Sequence, residues 1–220
     1  MKNLLYTHSN INDGNLSLRY GDKETVLKNR EAFLKTNNIQ SEDCVFMQTE
    51  HEDVITRVGL EDRGTSITTE AFITNKVGVV LFLLTGDCFP VSFYDPVEKV
   101  IALAHLGWKP TDKKLAQKVI IEMEKYFNSK PENIQVFIGP GIQKESYRFV
   151  DPVQKQKLDW LHFLEEDKNG ETLINLQGYI EVQVVESGVL LNNISSSDID
   201  TATSNEYFSH YRSVRTKEVE

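Results

Sequence analysis

The 220-residue chain has only two cysteines, Cys44 and Cys88, too few for a disulfide framework. A reducing, cytoplasmic setting is therefore expected. No apolar run approaches the roughly 18 residues that a membrane-spanning helix needs. The amino-terminal stretch MKNLLYTHSNINDGNLSLRY lacks a long apolar centre and a small-residue cleavage site, so it does not read as a signal peptide. No basic cluster is present. Lys and Arg number 24 against 33 Asp and Glu, a formal charge of −9. General nucleic-acid binding, which draws most of its affinity from phosphate neutralisation, is disfavoured. A small anion held by a few local donors is not. A glycine-rich nucleotide loop, internal repeats and low-complexity linkers are also missing. What is there is ordinary for a globular protein, 40% hydrophobic and 26% charged. The length allows a sizeable core. No boundary interrupts the chain, so residues 1–220 read as a single domain.

Residues 21–39, GDKETVLKNREAFLKTNNI, place Val26, Leu27, Arg30, Phe33 and Leu34 at helical spacing. CVFMQT (44–49) reads as a short strand, and residues 61–70 as a polar loop. Residues 71–85 look like two strand segments joined by NKVG, and KVIALAH (99–105) like another strand. The clearest helix spans 111–130. Leu115, Val119, Met123 and Phe127 share a stripe there, with Ile120 beside it. Thr111 or Asp112 would cap its start. NIQVFIGPGI (133–142) predicts a strand running into a Gly-Pro-Gly turn. Residues 151–167 predict a second amphipathic helix. Residues 171–189 fit either a long helix or two strands.

Two apolar runs end on chemically capable side chains. LLTGDCFPVSFYDP (83–96) carries Cys88, and VIALAHLGW (100–108) carries His105. The pattern predicts both at the carboxyl ends of neighbouring strands, where ligands commonly sit in α/β sheets. Gly107, Trp108 and Lys109 precede the 111–130 helix, whose start would offer free backbone N–H groups to an anion. Thiolate and imidazole are ordinary zinc ligands. A thiolate beside an imidazole base also fits a cysteine hydrolase. The plainer readings are a small buried cysteine and a satisfied structural histidine.

GDCFP (86–90), HLGWKP (105–110) and IGPGIQKESYRFV (138–150) are flanked by NLSLRYGD (15–22), NREAFL (29–34) and DTATSNEYFSHYR (200–212). In these segments, in this order, the chain resembles the laccase-domain or polyphenol oxidase (YfiH-type) family, whose members are described as purine nucleoside phosphorylases. The resemblance implies an α/β fold with layered mixed β-sheets flanked by helices. It also implies a zinc site built from a histidine of a Gln-x-His-x-x-x-Val stretch, a cysteine and a second histidine. Cys88 and His105 take two of those places. In QTEHEDV (48–54) Glu50 is in register for the third, and His51 sits one residue later. Either Glu50 is the ligand, or a local bulge presents His51, or the metal site has decayed; His51 is the expected third ligand, since an imidazole completes the set that the resemblance implies, with Glu50 as the alternative. A one-residue shift in an extended segment reverses the face a side chain occupies.

By the same resemblance, the catalytic group would be Asp87, Cys88 and His105. Asp87 would orient a ligand histidine or a substrate hydroxyl. Lys109 and Arg212 would bind anions. The family's arginine is replaced by Lys109 and its following glycine by Pro110, removing a bidentate fork and a backbone donor. Glu70 stands at an acidic position, and Ser146 where a cysteine is usual. The implied activity is phosphorolysis of purine nucleosides, or deamination of adenosine, with purine nucleoside and phosphate as partners and zinc as cofactor. Copper fits less well, because five histidines cannot furnish several copper centres. The competing class is a binding or regulatory paralogue that keeps the scaffold without the chemistry.

Overall fold

Helical spacing at Val26, Phe33 and Leu34 is realised in α1 (Lys23–Thr36), where these residues are buried and Asp22 caps the start by accepting the Thr25 N–H at 2.9 Å. The computed structural model describes residues 4–216. Next come β1 (Cys44–Gln48), β2 (Ile55–Arg57), β3 (Ser66–Thr68), β4 (Ala71–Thr74) and β5 (Val80–Phe82). β1 lies between β3 and β5 in an all-parallel sheet. Phe33 and Leu34 of α1 pack on Cys44 and Phe82 of this sheet. The 61–70 segment is thus not wholly loop, since it contributes β3. The two strand segments expected in 71–85 are present but join different sheets.

The larger sheet centres on β6 (Phe89–Asp95) and β7 (Val100–Leu106). Alternate residues of β6 are buried, the period-2 signature of a strand with one face in the core. After β7 come α2 (Trp108–Asp112), α3 (Leu115–Phe127), β8 (Gln135–Ile138) and β9 (Arg148–Phe149). The expected 111–130 helix is therefore two pieces. Lys114 adopts a left-handed conformation (φ 62°) and starts a second axis. Thr111 and Asp112 are not caps. Thr111 donates its hydroxyl to the Gly107 carbonyl, and Asp112 accepts the Trp160 indole N–H at 2.7 Å. The stripe of Leu115, Val119 and Met123 is buried as expected, with Phe127 packed partly against it.

The expected helix over 151–167 does not form. Two 3-10 segments (153–156 and 158–163) run into β10 (Leu164–Glu166). Leu158 and Leu161 are 82% and 47% exposed, whereas Trp160 is fully buried and Phe163 packs on the core. The buried pair is three residues apart, matching the 3-10 period rather than an α-helical stripe. Residues 171–189 resolve into β11 (Thr172–Ile174) and α4 (Leu176–Glu186). Asn175 separates them and caps α4 by accepting the Gly178 N–H at 2.9 Å. β12 (Ile194–Ser196) and α5 (His210–Thr216) complete the described chain.

The six-stranded sheet runs β12-β8-β6-β7-β4-β2, with parallel outer pairs and antiparallel inner ones. β10, β11 and β9 form a small antiparallel sheet. The main core joins Phe89 and Phe93 to Leu115, Ile120, Trp160 and Ile180 of the covering segments. The fold is mixed α/β, with three sheets, the largest of them mixed, and flanking helices, in line with the expected α/β architecture. Among the described residues no helix is long and apolar enough to cross a membrane.

Candidate metal centre

Cys88 lies at the amino end of β6, one residue before Phe89, and not at the carboxyl end of a strand as the apolar run suggested. The run stops short because Asp87 takes a positive φ of 82° and breaks the extended chain. His105 is near the carboxyl end of β7, paired with Pro90. Because β6 and β7 are antiparallel, the start of one lies beside the finish of the other. Cys88 and His105 meet by that route. Gly107 makes the approach possible, since a Cβ there would lie 2.7 Å from the Cys88 sulfur.

The third side chain is His51, not Glu50. His51 adopts the left-handed conformation (φ 62°), the local bulge that reverses the register, while Glu50 is exposed. The ligand atoms of His51, Cys88 and His105 all lie within 4.8 Å of one another, and the group could hold a metal ion. The two imidazoles are 5.0 Å apart between centroids and nearly perpendicular, at 74°.

One carboxylate builds both histidine positions. Glu70, 1% exposed and directly before β4, accepts the backbone N–H groups of Glu50 (2.5 Å) and His51 (2.6 Å) through Oε1. Its Oε2 lies 2.7 Å from His105 Nδ1. The His105 backbone N–H also donates to the Glu70 carbonyl at 2.8 Å. With Nδ1 occupied, Nε2 is the nitrogen left for Cys88 and a metal. The charges reinforce one another. Burial pushes the Cys88 thiol up, but bonding to His105 and His51 outweighs it and brings the group down to about 7. Burial pulls His105 down, yet Cys88 and Glu70 raise it to about 9. Glu70 stays below its ordinary range despite burial, chiefly through its bond to His105.

The remaining candidates have other surroundings. Glu70, and not Asp87, is the carboxylate bonded to His105. The Asp87 carboxylate accepts the Thr201 hydroxyl and the Tyr211 backbone N–H, each at 2.7 Å, and so ties the carboxyl-terminal segment to the residue before Cys88. Arg212 donates from its guanidinium to the carbonyls of Thr201, Ala202, Ser204 and Tyr207, and so braces the main chain of the carboxyl-terminal segment. Lys109 is exposed on α2, with its ammonium 5.9 Å from the Trp108 ring centroid. The long helix expected to present its start here begins only at Leu115, so five-residue α2 follows Gly107 instead. In the sequence Glu70 was legible only as the residue at an acidic position of the resembled family. Its two-sided role depends on contacts 19, 20 and 35 residues apart.

A family model described as multi-copper polyphenol oxidoreductase laccase matches residues 6–217. The protein named purine nucleoside phosphorylase YlmD from Bacillus subtilis is 28% identical over 211 residues, covering 90% of this chain and 76% of its own. A purine nucleoside phosphorylase from Clostridium acetobutylicum is 30% identical over 174 residues, covering 77% and 71%. The crystal structure of YlmD from Geobacillus stearothermophilus superposes with a TM-score of 0.84 at 27% identity, over 90% of this chain and 79% of that one.

Proposed function

The chain belongs to the multi-copper polyphenol oxidoreductase laccase family, and from that premise we propose that it is a zinc-dependent purine nucleoside phosphorylase. The observation that carries the reading is the convergence of His51, Cys88 and His105 on one point in a chain whose relatives bear that name. Two imidazoles and a thiolate suit a single zinc ion, with ligands about 2.0–2.3 Å from it and a position left open. They do not suit several copper centres: this is the one such group among the described residues.

In phosphorolysis a phosphate oxygen forms a bond to C1′ of the nucleoside as the C1′–N bond breaks. The electron pair leaves with the purine, which takes up a proton. Zinc, when bound, supplies a Lewis acid beside the reacting groups. The chain's own residues supply the rest. Glu70 fixes the His105 tautomer and the His51 loop, so the ligand set forms without reorganising. Gly107 leaves room for the Cys88 sulfur. Lys109 is an exposed cation at the start of α2, shortly after His105, and supports phosphate approach. Turnover is low, because a lysine and Pro110 replace a bidentate clamp and a backbone donor, and one lost preorganised donor typically costs about a hundredfold or more.

The test incubates the zinc-loaded protein with adenosine, inosine or methylthioadenosine, with and without phosphate, and separates the products by chromatography. Free base that requires phosphate supports phosphorolysis. Inosine formed from adenosine without phosphate supports a deaminase activity of the same centre. No turnover of any purine nucleoside leaves the binding or regulatory paralogue as the better account. The hydrogen-bonded order Cys88–His105–Glu70 favours a second reading, a cysteine hydrolase. Chelation abolishes the zinc activity and spares the hydrolase.

A further inference from the structure

The six-stranded sheet ends on β2, and among the described residues no strand covers the far side of that edge. The main-chain bonds from this stretch to β4 use alternate residues. The Val54 carbonyl accepts the Glu70 and Ala71 N–H groups at 2.9 and 3.2 Å, and the Val58 N–H donates to the Ile73 carbonyl at 3.0 Å. In the parallel ladder Thr56 turns the same way, so Ile55 and Arg57 direct their N–H and C=O groups outward. A row of such groups is a template for another strand unless the edge is blunted, and charge is a common device for that.

The charges on this edge differ in sign at its two ends. DVITR (53–57) begins with Asp53 and finishes with Arg57. Laid antiparallel against itself about Ile55, the segment sets Asp53 opposite Arg57, Val54 opposite Thr56 and Ile55 opposite its own copy. That register pairs the outward-facing groups of Ile55 and Arg57. Opposite charges facing across strands stabilise the pair, and like charges destabilise it. Within one chain Lys118 lies 2.5 Å from Asp53, and Arg57 lies 3.0 Å from Glu122. Pairing two copies joins these into Lys118–Asp53–Arg57–Glu122, in which neighbours alternate in sign. The adjoining surface is apolar on both faces of the strand. Val54 is 52% exposed, and Ile121 of α3 is 55% exposed. A cavity of about 310 Å³ is lined there by Ile55 and Ile121 together with Asp53, Lys118 and Glu122.

We propose that β2 is a self-association edge, through which two copies of this chain pair antiparallel about Ile55 as a two-fold dimer. The two-fold axis repeats each contact, so the Asp53–Arg57 pair occurs at both ends of the ladder. The His51 loop borders the interface, because Asp53 lies two residues beyond His51. The inference stands apart from the reaction assigned to the metal centre.

The experiment is sedimentation equilibrium of the full chain at about 0.15 M salt, which screens the net charge of −9. The parent moves from one chain mass towards two as its concentration rises. Arg57→Glu sets acid against acid at both ends of the ladder, and Asp53→Lys sets base against base. Each lowers the association constant about tenfold or more. Mixed in equal amounts the two variants recover parent-like association, because opposite charges again face each other at both ends. Circular dichroism melting curves show that each variant is folded. Arg57→Lys keeps the charge and associates like the parent, a comparison that holds even where Asp53→Lys does not fold. A parent that stays at one chain mass up to about 1 mM overturns the proposal and leaves the edge to a different partner. Association that Arg57→Glu leaves unchanged, or that two folded variants do not recover on mixing, overturns it as well, since the copies then meet elsewhere.

Discussion

Glu70 decides most at the scale of single residues. A buried carboxylate with one oxygen on two backbone N–H groups and the other on an imidazole leaves little room for substitution. Glu70→Gln keeps the size but offers one acceptor and an amide N–H₂, so either the His51 loop or His105 loses its partner. Metal affinity, measured by competition with a chromophoric chelator, falls roughly 10–100-fold, the usual cost of losing an outer-shell partner. Parent-like affinity in Glu70→Gln would show that the carboxylate does not position the ligands. The two cysteines provide a pH test in metal-stripped protein. The folded Cys88 sits at about 7, below the ordinary thiol value of about 8.5, so its thiolate forms as pH rises through 7. Alkylation by iodoacetamide at Cys88 therefore inflects near pH 7 and is suppressed by added zinc. Cys44, pushed up to about 11 by burial and by Asp43 and Glu42, stays unmodified. An inflection near pH 8.5 or above would contradict the two-imidazole contact. Cys88 and His105 were legible in the sequence as side chains ending apolar runs. The choice between Glu50 and His51 was not, because it turns on one residue's left-handed φ, which hydropathy does not encode.

Elements were legible where one periodicity ran unbroken. α1, β7 and the buried stripe of α3 follow directly from spacing. The reading lapsed where local geometry changed inside an apolar pattern. Lys114 splits 108–127 into α2 and α3, and nothing in a lysine announces a left-handed turn. The 158–163 segment is held as 3-10 turns by the buried Trp160 and its bond to Asp112, a contact 48 residues away in sequence. In 171–189 the strand-to-helix switch lies at Asn175, whose side chain caps α4. Asn175→Ala removes that cap and costs about 1 kcal/mol. For a chain of this length the melting temperature then falls by about 2–4 °C. Zinc stoichiometry is unchanged, since Asn175 makes no contact with the ligand set. An unchanged melting temperature would show that α4 is fixed by packing alone.

For the molecule as a whole, the ordered motifs conveyed the fold class and family, but strand direction came only with the topology. Cys88 and His105 were expected to share a site because two strands would finish together. They do meet, but because β6 runs against β7. The antiparallel pair brings in Cys88 and His105, Glu70 before β4 brings in the His51 loop, and Asp87 secures the carboxyl-terminal segment beside them. Residues from four stretches of sequence thus converge on one point of the large sheet. The most direct test of that convergence is the metal content of the purified full chain by inductively coupled plasma mass spectrometry, for the parent, His51→Ala and Glu50→Ala. The predicted result is about one zinc per chain in the parent and in Glu50→Ala, and none retained in His51→Ala. A parent without bound metal after zinc loading and dialysis, or zinc lost from Glu50→Ala and kept by His51→Ala, would contradict the account.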